Sequence, residues 1–162
     1  MKVKILEVET DSFVDAIIEK ASLKTLPSKK DGWQFTWRSL FKTEGADLYV
    51  LRLEKSKKSV EGVIMLSMMY DDMMYMNNVE VAPDNIGKKG KYDHVAGCLI
   101  AFGCLKSIEL GKNTYKGYLT FEGKTELIGL YQNKYGATLV MGQKMFIDPW
   151  IGEKLVRKYL KE

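Results

Sequence analysis

The residues best suited to chemistry cluster between Met73 and Leu110. Met73-Met74-Tyr75-Met76-Asn77-Asn78-Val79-Glu80-Val81-Ala82 reads as a strand, ended by Pro83. A basic loop follows, Asn85-Ile86-Gly87-Lys88-Lys89-Gly90-Lys91-Tyr92-Asp93-His94. A helix then opens on Val95-Ala96-Gly97-Cys98. Strand, basic loop and small-residue helix start form the layout of a phosphate site. Backbone N–H groups of Val95, Ala96, Gly97 and Cys98 would face the anion, and the helix dipole favours negative charge there. Lys88, Lys89 and Lys91 would surround it. Ala96 and Gly97 are small enough to let the backbone approach a ligand. The plainer reading is a solvated basic loop before a helix whose small residues pack on a sheet.

Other chemistries find less support. Cys98 and Cys104 fall in one predicted helix, and a six-residue separation puts them on different sides of it. No base is paired with either thiol in the sequence pattern, which argues against a cysteine nucleophile. With one histidine and no Cys/His cluster, no zinc site is indicated. The formal net charge of +4 suits an anionic ligand but is too small and dispersed to argue for nucleic acid. No apolar run approaches the roughly 20 residues of a membrane span, so no membrane partner is expected. The N-terminus alternates polar and apolar residues and lacks a signal-peptide core. The expectation is a cytoplasmic protein of bacterial type with reduced thiols, folded as one domain over residues 1–162.

The elements that must position these residues read as follows. Residues 3–9 form a short strand. Ser12 caps a helix, with Asp15 completing a capping-box pattern and Phe13, Val14, Ile17, Ile18 and Ala21 on its apolar face. Leu26-Pro27 breaks it. Trp33, Phe35 and Trp37 alternate in an aromatic segment that covers one end of the sheet. Strands follow over Asp47–Leu53, Val60–Met69 and Met73–Ala82, joined by short polar turns as an antiparallel meander. The Val95–Leu110 helix ends at Gly111. Tyr115–Phe121 reads as a strand, Lys124–Tyr135 as a helix, Ala137–Met141 and Lys144–Ile147 as strands, and Pro149 starts a last amphipathic helix. Helices between strands in the second half call for a parallel crossover. The class is α/β (α+β), with a mixed, mostly antiparallel sheet and helices on both faces.

This order, with these residues, resembles the GNAT superfamily of acyl-CoA-dependent N-acetyltransferases. Three segments carry the resemblance. One is Val-Glu-Val-Ala-Pro at 79–83 with the loop and helix after it. The second is the strand-to-helix unit from Gly117 to Tyr131. The third is Tyr131-Gln-Asn-Lys-Tyr-Gly-Ala-Thr, similar to the family's helix ending in Tyr-x-x-x-Gly-Phe. The aromatic segment and Met145-Phe-Ile-Asp are similar to uncharacterised bacterial GNAT-like proteins. Departures are visible. The family's loop, Gln/Arg-x-x-Gly-x-Gly/Ala, is matched by Lys91-Tyr-Asp-His94-Val-Ala96, so His94 stands where glycine is expected and its Cβ would crowd a pyrophosphate. Lys124 replaces an asparagine, and Ala137 a phenylalanine.

The resemblance implies an acetyl-CoA-dependent N-acetyltransferase that moves an acetyl group to a primary amine by direct attack in a ternary complex. Acetyl-CoA, the co-substrate, would lie against Lys88, Lys89, Lys91, His94, Val95, Ala96, Gly97 and Cys98, and its pantetheine arm would pair with the backbone of Val79 and Val81, beside a bulge near Ala82-Pro83. Tyr131 would protonate the leaving thiolate, or else it is a core tyrosine. Glu80 would accept the amine proton, with Glu122 as competitor, or else it faces solvent or a lysine. The methionine-rich run Met65–Met76 is adaptable core or the lining of a substrate groove. The alternative function is a catalytically weak or inactive acyl-CoA-binding or regulatory module. A toxin-like enzyme acetylating charged tRNA is a third reading, against which the mild charge counts. The acceptor amine is unidentified, and a homodimer is left open.

Overall fold

The computed structural model describes residues 1–160. β1 (Lys2–Glu7) does not lead into a helix. The chain turns and returns as β2 (Ser12–Lys20), antiparallel to β1 from Lys2 opposite Ile17 to Glu7 opposite Ser12. This corrects the helix expected from Ser12. The apolar positions there satisfy two periods at once. Val14, Ala16 and Ile18 turn one way and pack in the core, while Phe13 and Asp15 are exposed. The β-branched Val14, Ile17 and Ile18 favour the strand once β1 supplies a partner. Asp15 completes no capping box; its Oδ1 accepts a hydrogen bond from Lys4 Nζ across the hairpin at 2.8 Å.

The aromatic segment covers one face of the sheet, as expected of Trp33 and Trp37. Its end, at Trp37, opens a one-turn helix, α1 (Trp37–Leu40). The expected meander follows as β3 (Ala46–Leu53), β4 (Val60–Met69) and β5 (Met73–Val81), each antiparallel to its neighbour. In the loop after β5 a two-residue strand, β6 (Tyr92–Asp93), pairs with the end of β1. α2 (Val95–Leu110) then crosses the sheet. β7 is shorter than expected, Leu119–Glu122, because residues 113–115 form a 3-10 turn, and it lies parallel to β5. Another 3-10 turn at Thr125–Leu127 precedes α3 (Ile128–Tyr135). β8 (Thr138–Met141) and β9 (Lys144–Ile147) form a hairpin in which β9 docks on β7. α4 (Pro149–Tyr159) starts at Asp148, whose Oδ1 accepts from Ile151 N at 2.8 Å. The sheet order is β6-β1-β2-β3-β4-β5-β7-β9-β8.

Strand alternation divides the core in two. Ile5, Leu51, Ile64, Leu66 and Met76 pack under Leu99 and Phe102 of α2 and Leu155 and Tyr159 of α4. On the other face Leu48, Val50, Val63 and Met65 pack under Leu26, Trp33 and Trp37. The second layer is thus α1 and its flanking loops, and it reaches only part of the sheet.

Candidate acyl-CoA cleft and acceptor mouth

The cleft exists because β5 outruns its partner. β5 pairs with β7 only at Met74–Leu119, Tyr75–Thr120 and Met76–Phe121. From Asn77 to Val81 it keeps β4 alone. A bulge sits at the parting point: Met65 faces Asn78, Leu66 faces Met76, and Asn77 is extra. It lies earlier than the Ala82-Pro83 position expected. One inserted residue flips the side-chain parity beyond it. Met74 and Met76 are in the α2-side core, and beyond the bulge Val79 and Val81 pack against it, so Asn78 and Glu80 turn to the α1 side.

The same register orients the backbone. Ala82 N donates to Glu61 O at 2.8 Å, so the hydrogen-bonded pairs of the β4–β5 ladder recur at every second residue, Glu80 and Asn78. The N–H and C=O of Val79 and Val81 therefore point away from β4, into the splay. These backbone groups are thus left unpaired by β4.

A cleft of about 1200 Å³ follows this edge. At one end stands the start of α2. Its first bond, Cys98 N to His94 O at 2.9 Å, leaves the N–H groups of Val95, Ala96 and Gly97 without a carbonyl one turn back. His94 has φ of +73°, in the left-handed region that glycine adopts freely. A non-glycine residue there costs about 1–2 kcal/mol. The histidine ring leans edge-on against Phe13 and Tyr159, each centroid 5.6 Å away. Phe13 comes from β2, the strand misread as helix. Asn85, which sequence reasoning passed over, organises the loop: Tyr92 N donates to its Oδ1 at 3.0 Å and its Nδ2 donates to Glu61 Oε1 at 3.0 Å. A lone asparagine after Pro83 was the signal available.

Not all the expected phosphate residues gather here. Lys88, His94, Val95, Ala96 and Gly97 line the cleft, joined by Lys134 from α3. Lys89 and Lys91 border a separate hollow with Glu7 and Glu9, and Lys91 Nζ lies over the Tyr92 ring. Cys98 is buried behind the helix start, its thiol donating toward Lys4 O and Tyr159 O, and burial pushes it up to about 12. Cys104 is likewise buried and pushed up to about 12. Gly97 is small for a reason other than ligand approach: a Cβ there would stand 2.3 Å from Tyr159 Cε1 on α4.

At the other end α3 presents Tyr131. Four residues separate it from Gly136, one more than in the family's pattern, and Gly136 forms a left-handed cap whose N–H donates to Tyr131 O. The Tyr131 ring packs 4.9 Å from Phe121, and burial raises the phenol above its ordinary value. Its hydroxyl has no hydrogen-bond partner among the described residues. Glu80 faces neither solvent alone nor a lysine. Its carboxylate accepts from Gln34 N at 2.6 Å, Phe35 N at 3.1 Å and Trp37 Nε1 at 2.9 Å. It thereby pins the aromatic segment as one wall of the mouth. Glu122 lines the mouth from the end of β7 and is exposed, with no ion pair among the described residues. Lys124 also lines it, Nζ 5.5 Å from the Phe35 ring centroid. Among the described residues no group of His, Cys, Asp and Glu could hold a metal ion.

No family model matches the sequence, and no curated protein matches it. Solved structures do. A chain in the crystal structure of the KacTA–DNA complex superposes with a TM-score of 0.64 at 12% identity, over 88% of this chain and 99% of that one. The crystal structure of AtaTR bound with AcCoA gives 0.59 at 14% identity, over 86% and 97%. A putative acetyltransferase from Exiguobacterium sp. 255-15 gives 0.57 at 16% identity, over 87% and 98%. At such identities the likeness concerns the backbone. Strand order, splayed β5–β7 edge and superposition agree: the chain has the fold of the GNAT acetyltransferases.

Proposed function

We propose that the protein is an acetyl-CoA-dependent N-acetyltransferase acting on a primary amine in a ternary complex. The observation that carries this reading is one continuous cleft. It joins a helix N-terminus with free N–H groups, a strand edge with unpaired amides, and a half-buried phenol without a partner. Acetyl-CoA, when bound, supplies an activated acyl group on a thioester. The N–H groups of Val95, Ala96 and Gly97, with Lys88 and Lys134, hold its phosphates. Val79 and Val81 hydrogen-bond an amide-bearing arm as a neighbouring strand would. Tyr131 is a phenol, protonated at neutral pH, and burial raises its pKa further, so it has a proton to give to the leaving sulfur. An alkylamine acceptor has a pKa of about 10.4 in water and must lose a proton before it attacks. Glu80 already accepts three hydrogen bonds, so Glu122 is the carboxylate free to take that proton.

Titration calorimetry with acetyl-CoA, followed by thiol release over a panel of small amines, lysine peptides and aminoacyl-tRNA, tests the proposal. Binding with turnover of at least one acceptor is expected. No heat at millimolar acetyl-CoA overturns it. The occupied Glu80 carboxylate favours a second reading, an acyl-CoA-binding module without turnover. Binding with no thiol released above background by any acceptor would select that module.

A further inference from the structure

We propose that Lys124 is an acceptor lodged in its own cleft, and that the protein acetylates this lysine in cis. The inference rests on the acetyltransferase reading above and extends it to regulation of the same site. Its first support is position. Gly123, next to Lys124, packs on the phenol ring of α3: a Cβ on Gly123 would lie 3.2 Å from Tyr131 Cδ2. Lys124 thus directly follows a residue packed on the Tyr131 ring, and both Lys124 and Tyr131 line the same cleft. Its second support is direction. Lys124 Nζ lies over the ring of Phe35, whose own N–H is bound by Glu80 of β5. The side chain reaches from the β7 side of the splay to the wall held by β5, across the mouth an amine must enter. Its third support is the weakness of the hold. No carboxylate pairs with Lys124 among the described residues, and an exposed contact of a cation with a ring is worth only about 0.5–1 kcal/mol. The amine is seated in the mouth without being locked there.

The step balances with groups already named. The Lys124 ammonium yields a proton to water at the open mouth. Its neutral nitrogen attacks the thioester carbonyl carbon, the new N–C bond forms and the C–S bond breaks. Tyr131 gives its proton to the departing sulfur, and the second proton leaving the nitrogen restores the phenol. The products are an acetylated Lys124 and the free thiol of CoA. An acetylated Lys124 has lost its charge and its hold on the Phe35 face, and its added bulk obstructs the mouth. Self-acetylation is therefore a brake on acceptor entry.

The full chain is incubated with acetyl-CoA while calorimetry reports binding, and intact mass and peptide mapping follow modification. A single acetyl group on Lys124 is expected, gained at a rate independent of protein concentration and faster than at the exposed Lys144. Lys124→Arg, which keeps the charge, should show none at that position. Bound acetyl-CoA with Lys124 unmodified, or modified no faster than Lys144, overturns this inference and leaves the acetyltransferase reading standing. Absence of binding overturns both.

Discussion

Replacing Glu80 separates a structural tether from a catalytic base. Its carboxylate is the acceptor for Gln34 N, Phe35 N and Trp37 Nε1. Trp37 is fully buried, so Glu80→Ala strands its indole N–H, at about 1–3 kcal/mol. Gln34 is exposed and Phe35 half-buried, so water can reach their N–H groups, and each loses about 0.5–1.5 kcal/mol. The total expected is about 2–6 kcal/mol, a large share of a stability of about 5–15 kcal/mol. Glu80→Gln is milder. Its oxygen can still serve Phe35 and Trp37, but its amide would face the Gln34 N–H donor to donor, for about 1–2 kcal/mol. Urea unfolding at neutral pH reads both variants as midpoint shifts at constant slope. Glu80→Ala within about 0.5 kcal/mol of the parent would refute the tether. A Glu80→Gln protein of parental stability that binds acetyl-CoA but has lost all turnover would return Glu80 to the role of base.

Three further perturbations probe other parts of the cleft. Tyr131→Phe should lower turnover by about a hundredfold while acetyl-CoA affinity by calorimetry stays unchanged; equal turnover removes the phenol from the chemistry. Gly97→Ala places a methyl 2.3 Å from Tyr159 Cε1 and should cost about 1–3 kcal/mol, partly restored by adding Tyr159→Leu; an alanine tolerated without loss would contradict the close α2–α4 approach. Burial raises the carboxyl of Glu61 even though Asn85 donates to it, so the folded state holds that proton more tightly than the unfolded chain. Stability from this group is complete below the ordinary glutamate range and is lost as pH rises through the raised value. Glu61→Gln should therefore gain more on the parent at neutral than at mildly acid pH in thermal unfolding, and an equal difference at both would refute the desolvation argument.

Much of the chain was legible because its local signals agreed. β4 is nearly all apolar, α4 carries its cap at Asp148 and its apolar stripe at Ile151, Leu155 and Tyr159, and the Met73–Leu110 stretch pairs a strand with a helix start. The helix expected from Ser12 fails where two signals compete. Ser12–Lys20 fits helical and strand periods alike, and only pairing with β1 chose between them. Trp33 and Trp37 cover the sheet over Val50 and Met65 as expected, while the single turn of α1 that starts at Trp37 is too short to leave a periodic signal.

The sequence by itself determined the mixed class, the position of the candidate anion-binding helix start and the identity of the candidate phenol, because each is encoded within a few neighbouring residues. Tertiary structure alone decided where β5 parts from β7, that Asn77 bulges, and hence which way Val79, Glu80 and Val81 point. It also decided that Glu80 is held by a segment 43–46 residues distant, that Gly97 answers to Tyr159, and that Lys124 spans the mouth. Those outcomes depend on register between strands and on contacts between remote elements, and periodicity along one strand carries no information about which partner it will meet.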